Sequence, residues 1–203
     1  MYGKMLLGTL LASPMIALAA EADPSVWQFG GGFGLTMGGD ELGTIHIYDS
    51  KGGKRIQSEN IRTGRLFQYD LGIRWRPQTS PLQLQLTLGY HHDTTNGKDL
   101  ETNTKDVSSY FGRYPLEFLP AWRFDRHSVG LGLRYDFSPT LASSGQQSYK
   151  FKHAPGGILE YGYSPGQHVT FGLRLVKIKY KLRDDPGETA EGDHIGVNTK
   201  FWF

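Results

Sequence analysis

The sequence predicts an all-β fold, an eight-stranded antiparallel transmembrane β-barrel with short turns at one rim and long loops at the other. Three observations carry this. Eight segments alternate apolar and polar residues with period 2, the repeat of a strand whose two faces meet different surroundings. The connections between them alternate short and long, the pattern of a barrel that crosses a bilayer. The 203 residues include 27 Gly, no Cys and 13% aromatics, which suits a wall with small residues inside and aromatic belts outside.

The amino terminus reads as a secretory leader over residues 1–20. Lys4 supplies the positive charge, Met5 to Ala19 is an apolar run interrupted by Pro14, and Ala17-Leu18-Ala19 fits small-x-small processing. Cleavage is expected after Ala19 or Ala20, leaving 21–203 as one barrel domain. No run approaches the roughly 20 apolar residues of a spanning helix. A secreted chain without Cys must find stability elsewhere than in disulfides. A net charge of +2 is too balanced for a nucleic-acid binder.

The first strand, Val26 to Met37, sets Trp27, Phe29, Phe33, Leu35 and Met37 against Gly30, Gly32 and Gly34. The second, Gly64 to Arg76, sets Phe67, Tyr69, Leu71, Ile73 and Trp75 against Gln68, Asp70, Gly72, Arg74 and Arg76. The third, Leu82 to His92, alternates leucines with Gln83, Gln85, Thr87, Gly89 and His91. The fourth, Arg113 to Phe124, places Glu117 and Arg123 opposite an aromatic face. The fifth, His127 to Phe137, opposes Val129, Leu131, Leu133 and Tyr135 to Gly130, Gly132, Arg134 and Asp136. The sixth, about Gly157 to Tyr163, carries Glu160, and the seventh, His168 to Leu182, carries Arg174.

Short connections join strands two and three (Pro77 to Pro81), four and five (Asp125-Arg126) and six and seven (Ser164 to Gln167, a turn sequence). The long ones are about 38–63, 93–112, 138–156 and 183–193. The first of these holds a further alternation, Thr44 to Tyr48, which reads as a hairpin above the membrane and not as a ninth wall strand.

The eighth strand is His194 to Phe203, HIGVNTKFWF. Ile195, Val197, Thr199, Phe201 and Phe203 share one face, and Gly196, Asn198, Lys200 and Trp202 the other. An exposed aromatic end would be an adhesive edge in water. This segment resembles the closing strand of bacterial outer-membrane β-barrels. In that family a final Phe preceded by alternating apolar residues is the assembly signal, which the resemblance assigns to Phe201 and Phe203. Thr199 departs from it, since an apolar residue is commoner there. Over 21–203 the chain resembles the OmpA-like and OmpW-like small barrels. The resemblance implies residence in the outer membrane of a Gram-negative cell, contact with its lipid and lipopolysaccharide, handling by the barrel assembly machinery, and a monomer without cofactor.

With lipid outside, the second face fills a lumen that eight strands leave only wide enough for side chains. The polar set expected there is Asp70, Arg74, Arg76, Glu117, Arg123, Arg134, Asp136, Glu160, Arg174 and Lys200. Charges so enclosed must pair. Neighbouring strands make Glu117 or Arg123 with Arg134 or Asp136 the first pairs to expect. Lys177, Lys179 and Lys181 continue the outward face of strand seven, placed to meet lipopolysaccharide phosphates. A phase shift near Val176 would turn them inward instead.

The functional expectation is a non-enzymatic barrel serving membrane integrity, surface interaction or limited passage of small solutes. One alternative is a lipid A acyltransferase or deacylase. His91-His92-Asp93 lies at a strand end with Ser108 and Ser109 nearby, but adjacent strand residues point to opposite faces. A solvated strand end is the simpler reading of these histidines. A narrow porin-like channel is another alternative, and a water-soluble barrel with its apolar face inward a fourth reading. The acidic last loop, with Asp184, Asp185, Glu188, Glu191 and Asp193, has the oxygen ligands that suit Ca²⁺ without the spacing of a calcium loop. No metal site is assigned.

Overall fold

A computed structural model describes residues 27–48, 55–77, 79–98, 106–143, 148–185 and 187–203. The expected leader lies outside the described residues. In chain order the strands are β1 (Trp27–Gly38), β2 (Glu41–Tyr48), β3 (Arg55–Arg62), β4 (Leu66–Trp75), β5 (Leu82–Lys98), β6 (Asp106–Phe124), β7 (His127–Ser143), β8 (Tyr149–Lys150), β9 (Ala154–Tyr163), β10 (Val169–Lys181), β11 (Thr189–Glu191) and β12 (His194–Trp202).

Eight of them make the wall. β1, β4, β5, β6, β7, β9, β10 and β12 pair antiparallel in that order, and β12 pairs back with β1. Closure leaves the wall no edge strand to protect. The seam is built on size. Gly30, Gly32 and Gly34 of β1 stand opposite Trp202, Lys200 and Asn198 of β12. A Cβ at Gly30 would lie 2.6 Å from the Trp202 ring, so only a bare backbone leaves room for the indole.

The two faces of the wall are inverted relative to a protein in water. Leu71 is 74% exposed and Leu131 72%, among an outer surface of Leu, Val, Phe and Trp. Five bases and five acids are buried inside. A water-soluble barrel buries its apolar face, so that reading is excluded. Aromatic girdles ring both ends of the outer face. Trp27, Trp75, Trp122 and Phe124 lie at the short-turn end, and Tyr69, Tyr90, Tyr114 and Tyr135 toward the other. An apolar band between aromatic girdles is the dress of a barrel that crosses a membrane.

The wall strands run past the ends set by their apolar alternation. β5 continues beyond His92 to Lys98, β6 begins at Asp106 and not Arg113, and β7 continues beyond Phe137 to Ser143. Most of the expected 93–112 loop is therefore a paired hairpin. Pairing continues where lipid no longer demands an apolar face, so the alternation fades before the strand does. In β7 a bulge adds a second cause. The register passes from Tyr114↔Phe137 to Gly112↔Thr140, with one extra residue on β7 and Ser138 at φ 47°. The extra residue resets the inward phase from Asp136 to Pro139.

Within 38–63, β2 and β3 pair with each other as a hairpin and stay out of the wall. Gly38 and Gly39, at φ 131° and 74°, make the sharp turn into it. Its base is sewn to the last loop by Gly39 N–H to Asp193 O at 2.7 Å and Asp40 N–H to Glu191 O at 2.7 Å. Ile61 drops from β3 into the barrel mouth. There it joins Phe111, Phe151, Ala154, Ile158, Val176, Ile178 and Tyr180 in an apolar cap, with Leu42, Leu141 and Leu182 packed on it.

Candidate functional site

The interior is the candidate site, and it is layered. Near the short turns, Arg74 of β4 lies 4.6 Å over the Trp202 ring. Its Nε and Nη2 donate to Gln28 Oε1 at 3.0 and 2.6 Å, and Nη2 also donates to Gln167 O at 2.8 Å. Arg74 thus finds hydrogen bonds and a ring face where it has no carboxylate partner among the described residues.

The middle layer is an ion-pair web. Arg174 of β10 donates to both Glu160 and Glu117, with Nη2 at 2.6 Å from Glu160 Oε2 and 3.1 Å from Glu117 Oε2. Arg134 of β7 donates to Glu117 Oε1 at 3.0 Å and to Gln68 Oε1 at 3.0 Å. Lys200 of the closing strand reaches Glu160 Oε1 at 3.4 Å and Gln85 Oε1 at 3.3 Å. Glu117 and Arg134 face each other across β6 and β7, while Glu117 and Arg174 meet across the lumen. Asp70 is buried in this layer without a direct ion pair among the described residues.

The third layer joins the web to the cap. Arg134 Nε donates to Asp136 Oδ1 at 2.6 Å, Arg113 Nε lies 3.2 Å from Asp136 Oδ2, and the Tyr180 hydroxyl donates to that same oxygen at 2.5 Å. Arg113 Nη2 donates to His91 Nδ1 at 2.7 Å. An arginine has no acceptor, so His91 Nδ1 is unprotonated and the ring proton sits on Nε2, donated to Thr36 Oγ1 at 2.9 Å. His194 stands edge-on to His91 at 5.2 Å and donates from Nδ1 to Gly192 O at 2.7 Å. Above them Arg113 lies 5.0 Å from the Phe111 ring centroid, where charge gives way to the cap.

The remaining predicted residues lie elsewhere. Arg76 and Arg123 are at the turn rim, half-buried, outside the web. Arg123 Nη2 donates to Pro77 O at 2.8 Å and Ser80 O at 2.6 Å, holding the turn. Including them in the lumen set is corrected by their position one step below its last layer. Lys177, Lys179 and Lys181 all stand exposed on the outer face at the loop end, without the phase shift that would turn them inward. Lys179 pairs with Glu191 at 2.5 Å. Phe201 lies outside, 6.4 Å from Phe33, and the Phe203 backbone exchanges hydrogen bonds with Phe29 at 2.9 and 2.7 Å.

His91, His92 and Asp93 go three separate ways. His91 is wholly enclosed, which corrects its reading as a solvated strand end. His92 stacks outside on Tyr90 at 5.2 Å. Asp93 is buried and latches the β2–β3 hairpin, accepting from Arg62 N–H at 2.7 Å and pairing with Arg65 at 3.2 Å. The acids of the last loop also part company. Asp193 accepts from Ile178 N–H, Asp185 from Gly187 N–H, and Glu191 takes Lys179. Among the described residues no three His, Asp or Glu side chains converge as metal ligands would.

Arg113, Tyr180 and His194 are essential to the third layer and were missed. Tyr180 continues the inward phase of Arg174, Val176 and Ile178, and Arg113 continues that of Glu117, so both signals were present in the alternation.

No protein-family model matches the chain, and no curated protein matches it. Among solved structures it is similar to Ail, the attachment invasion locus protein of Yersinia pestis, in complex with the heparin analogue sucrose octasulfate. That likeness has 11% identity, covers 87% of this chain and 97% of that one, and has a TM-score of 0.49. A second crystal structure of Ail matches with 13% identity over the same shares and a TM-score of 0.47. The outer membrane channel DcaP of Acinetobacter baumannii matches with 6% identity, over 87% of this chain and 96% of that chain, and a TM-score of 0.25. The reading of the wall as lipid-facing rests on its own exposed apolar surface.

Proposed function

We propose that the chain is a non-enzymatic barrel of the bacterial outer membrane, closed to solutes, that works at its loop surface and in the integrity of the bilayer. One observation carries the reading: the interior is spanned by interlocked charges of both signs and sealed at one end by the apolar cap. Arg113, Arg134, Arg174 and Lys200 pair with Asp136, Glu117 and Glu160, with Arg74 and Asp70 buried beside them. A permeating ion would have to break charge-assisted bonds without replacing them. The exposed Lys177 and Lys181, beside the apolar band, are suited to lipopolysaccharide phosphates, while Lys179 already has an acid partner. Assembly by the outer-membrane insertion machinery and a monomeric state belong to the same proposal.

Planar-bilayer recording tests it. The purified barrel is expected to add no stepwise current to the bare bilayer in 1 M KCl. Reproducible ohmic steps from the wild type would overturn the closed-lumen reading in favour of the narrow channel.

A further inference from the structure

Just past their ends, β8 and β10 meet in a single bridge, Phe151↔Leu182. Two backbone bonds flank it, Lys152 N–H to Lys181 O at 2.8 Å and Arg183 N–H to Lys150 O at 2.9 Å. Phe151 and Leu182 turn in to the cap, so their neighbours turn out. Lys152 therefore stands opposite Lys181, and Lys150 opposite Arg183, all four exposed. Like charges directly opposite on neighbouring strands are destabilising. Two such rungs in succession are a repulsion that the fold retains and that an anion would relieve.

The same face of β10 leads down to the membrane. Lys177 pairs with Gly157 of β9, where a side chain would meet nothing within 4 Å, so the surface beside Lys177 is an open notch. Gly157 pairs on its other side with Leu133, two residues from Tyr135 of the girdle, which sets the notch at headgroup depth. One step lower, Leu175 stands against Leu159, both exposed on the lipid face. Lys179 does not count among the available cations, because Glu191 holds it and Asp40 and Asp193 also act on it. Asp184, Asp185 and Glu188 follow Arg183 in the last loop. Among the described residues no ion pair joins them to Lys150, Lys152, Lys177, Lys181 or Arg183.

We propose that this ladder seats an outer-leaflet lipid carrying two phosphates, its headgroup on the like-charged rungs and Lys177, its acyl chains on Leu175 and Leu159. The inference rests on the outer-membrane reading and gives the lipopolysaccharide contact a seat and a selectivity. A soluble anion would leave the apolar end of the ladder unused, and a lipid with one phosphate would leave a rung unrelieved.

The barrel in neutral detergent is titrated with diphosphoryl and with monophosphoryl lipid A, and complexes are counted by native mass spectrometry. One diphosphoryl lipid per barrel is expected, with the monophosphoryl lipid weaker by about fivefold, the worth of one cation at an anionic surface. Lys152→Gln and Lys181→Gln should each weaken the diphosphoryl lipid by about fivefold. Arg126→Gln, which removes an exposed cation at the opposite rim, should leave it unchanged. Lys152→Glu should abolish binding and raise the thermal midpoint of the lipid-free barrel, since it puts opposite charges on one rung. Equal binding of the two lipids overturns the proposal, as do affinity that survives the Lys152 and Lys181 substitutions, an equal loss in Arg126→Gln, or displacement of the lipid by inorganic pyrophosphate. A lower midpoint in Lys152→Glu overturns the repulsion on which it is built. Heat-modifiable gel migration scores folding of each protein. A wild type that does not fold in detergent counts against the membrane reading, and folded wild type without the lipid preference counts against the ladder alone.

Discussion

Glu117 concentrates the interior chemistry in one carboxylate. It is buried and accepts from Arg134, Arg174 and Gln68. Glu117→Ala deprives two buried guanidiniums of a shared acceptor, although each retains another acid, Asp136 for Arg134 and Glu160 for Arg174. The expected loss is about 3–5 kcal/mol of unfolding free energy, the cost of breaking a buried pair from one side. Glu117→Gln keeps an acceptor and should lose less. Urea titration of the three proteins in the same micelle checks the order. At this scale the sequence told which residues turn inward through the period of the strand, as with Arg134 or Glu160. It did not tell which acid meets which base. That depends on strand register and on reach across the lumen, as in the Arg174–Glu117 pair between β10 and β6. His91 misled for the same reason. Its position at the end of the apolar alternation suggested water, yet Arg113 of the neighbouring β6 and Thr36 of β1, two strands away, close over it.

The element with most individuality is the β2–β3 hairpin. Its own pairing is local, and two-stranded ribbons are marginal alone. Its attachment depends on Asp93, which holds the Arg62 amide and the Arg65 guanidinium, and on Thr63, whose hydroxyl donates to Glu191 O at 2.5 Å. Asp93→Ala should release the hairpin while leaving the wall closed. Limited trypsin digestion is then expected to cut at Arg62 or Arg65 in the variant and to spare the wild type, with heat-modifiable migration kept. Equal cleavage of both proteins would show that the latch is unimportant. The hairpin itself was legible from Thr44 to Tyr48, because its alternation is as regular as that of the wall. The extensions of β5, β6 and β7 were not, since a strand pairing above the bilayer need not alternate. β8 and β11, two and three residues long, are too short to leave a pattern.

For the molecule as a whole, the inverted faces decide its solvent. Leu131 stands on the lipid face of β7, between the Phe124 girdle at the short-turn end and the Tyr135 girdle, and replacing it by Arg should cost about 2–4 kcal/mol at the bilayer midplane. Measured in lipid vesicles, the penalty should exceed that of the same change in Phe124, which sits in the girdle beside the Asp125-Arg126 turn. Equal penalties would mean that no depth gradient of lipid surrounds the wall. The fold class was readable because membrane and lumen impose opposite demands on alternate residues along every strand. The apolar cap was not, because Phe111, Phe151 and Tyr180 come from three separate elements and meet edge to face only when the barrel is closed.

The distribution of interior charge along the chain also bears on how the wall is put together. Hairpin β6–β7 holds Arg113, Glu117, Arg134 and Asp136, two of each sign, and hairpin β9–β10 holds Glu160 with Arg174. The inward charges of each hairpin therefore cancel within that hairpin, while Lys177, Lys179 and Lys181 of β10 stand on the outer face. Lys200 is placed differently, a base on β12 whose acid, Glu160, lies two strands away around the wall. Were the wall inserted hairpin by hairpin, these two units would bring their inward charges already balanced into the hydrocarbon, and Lys200 would meet Glu160 as the ring closes.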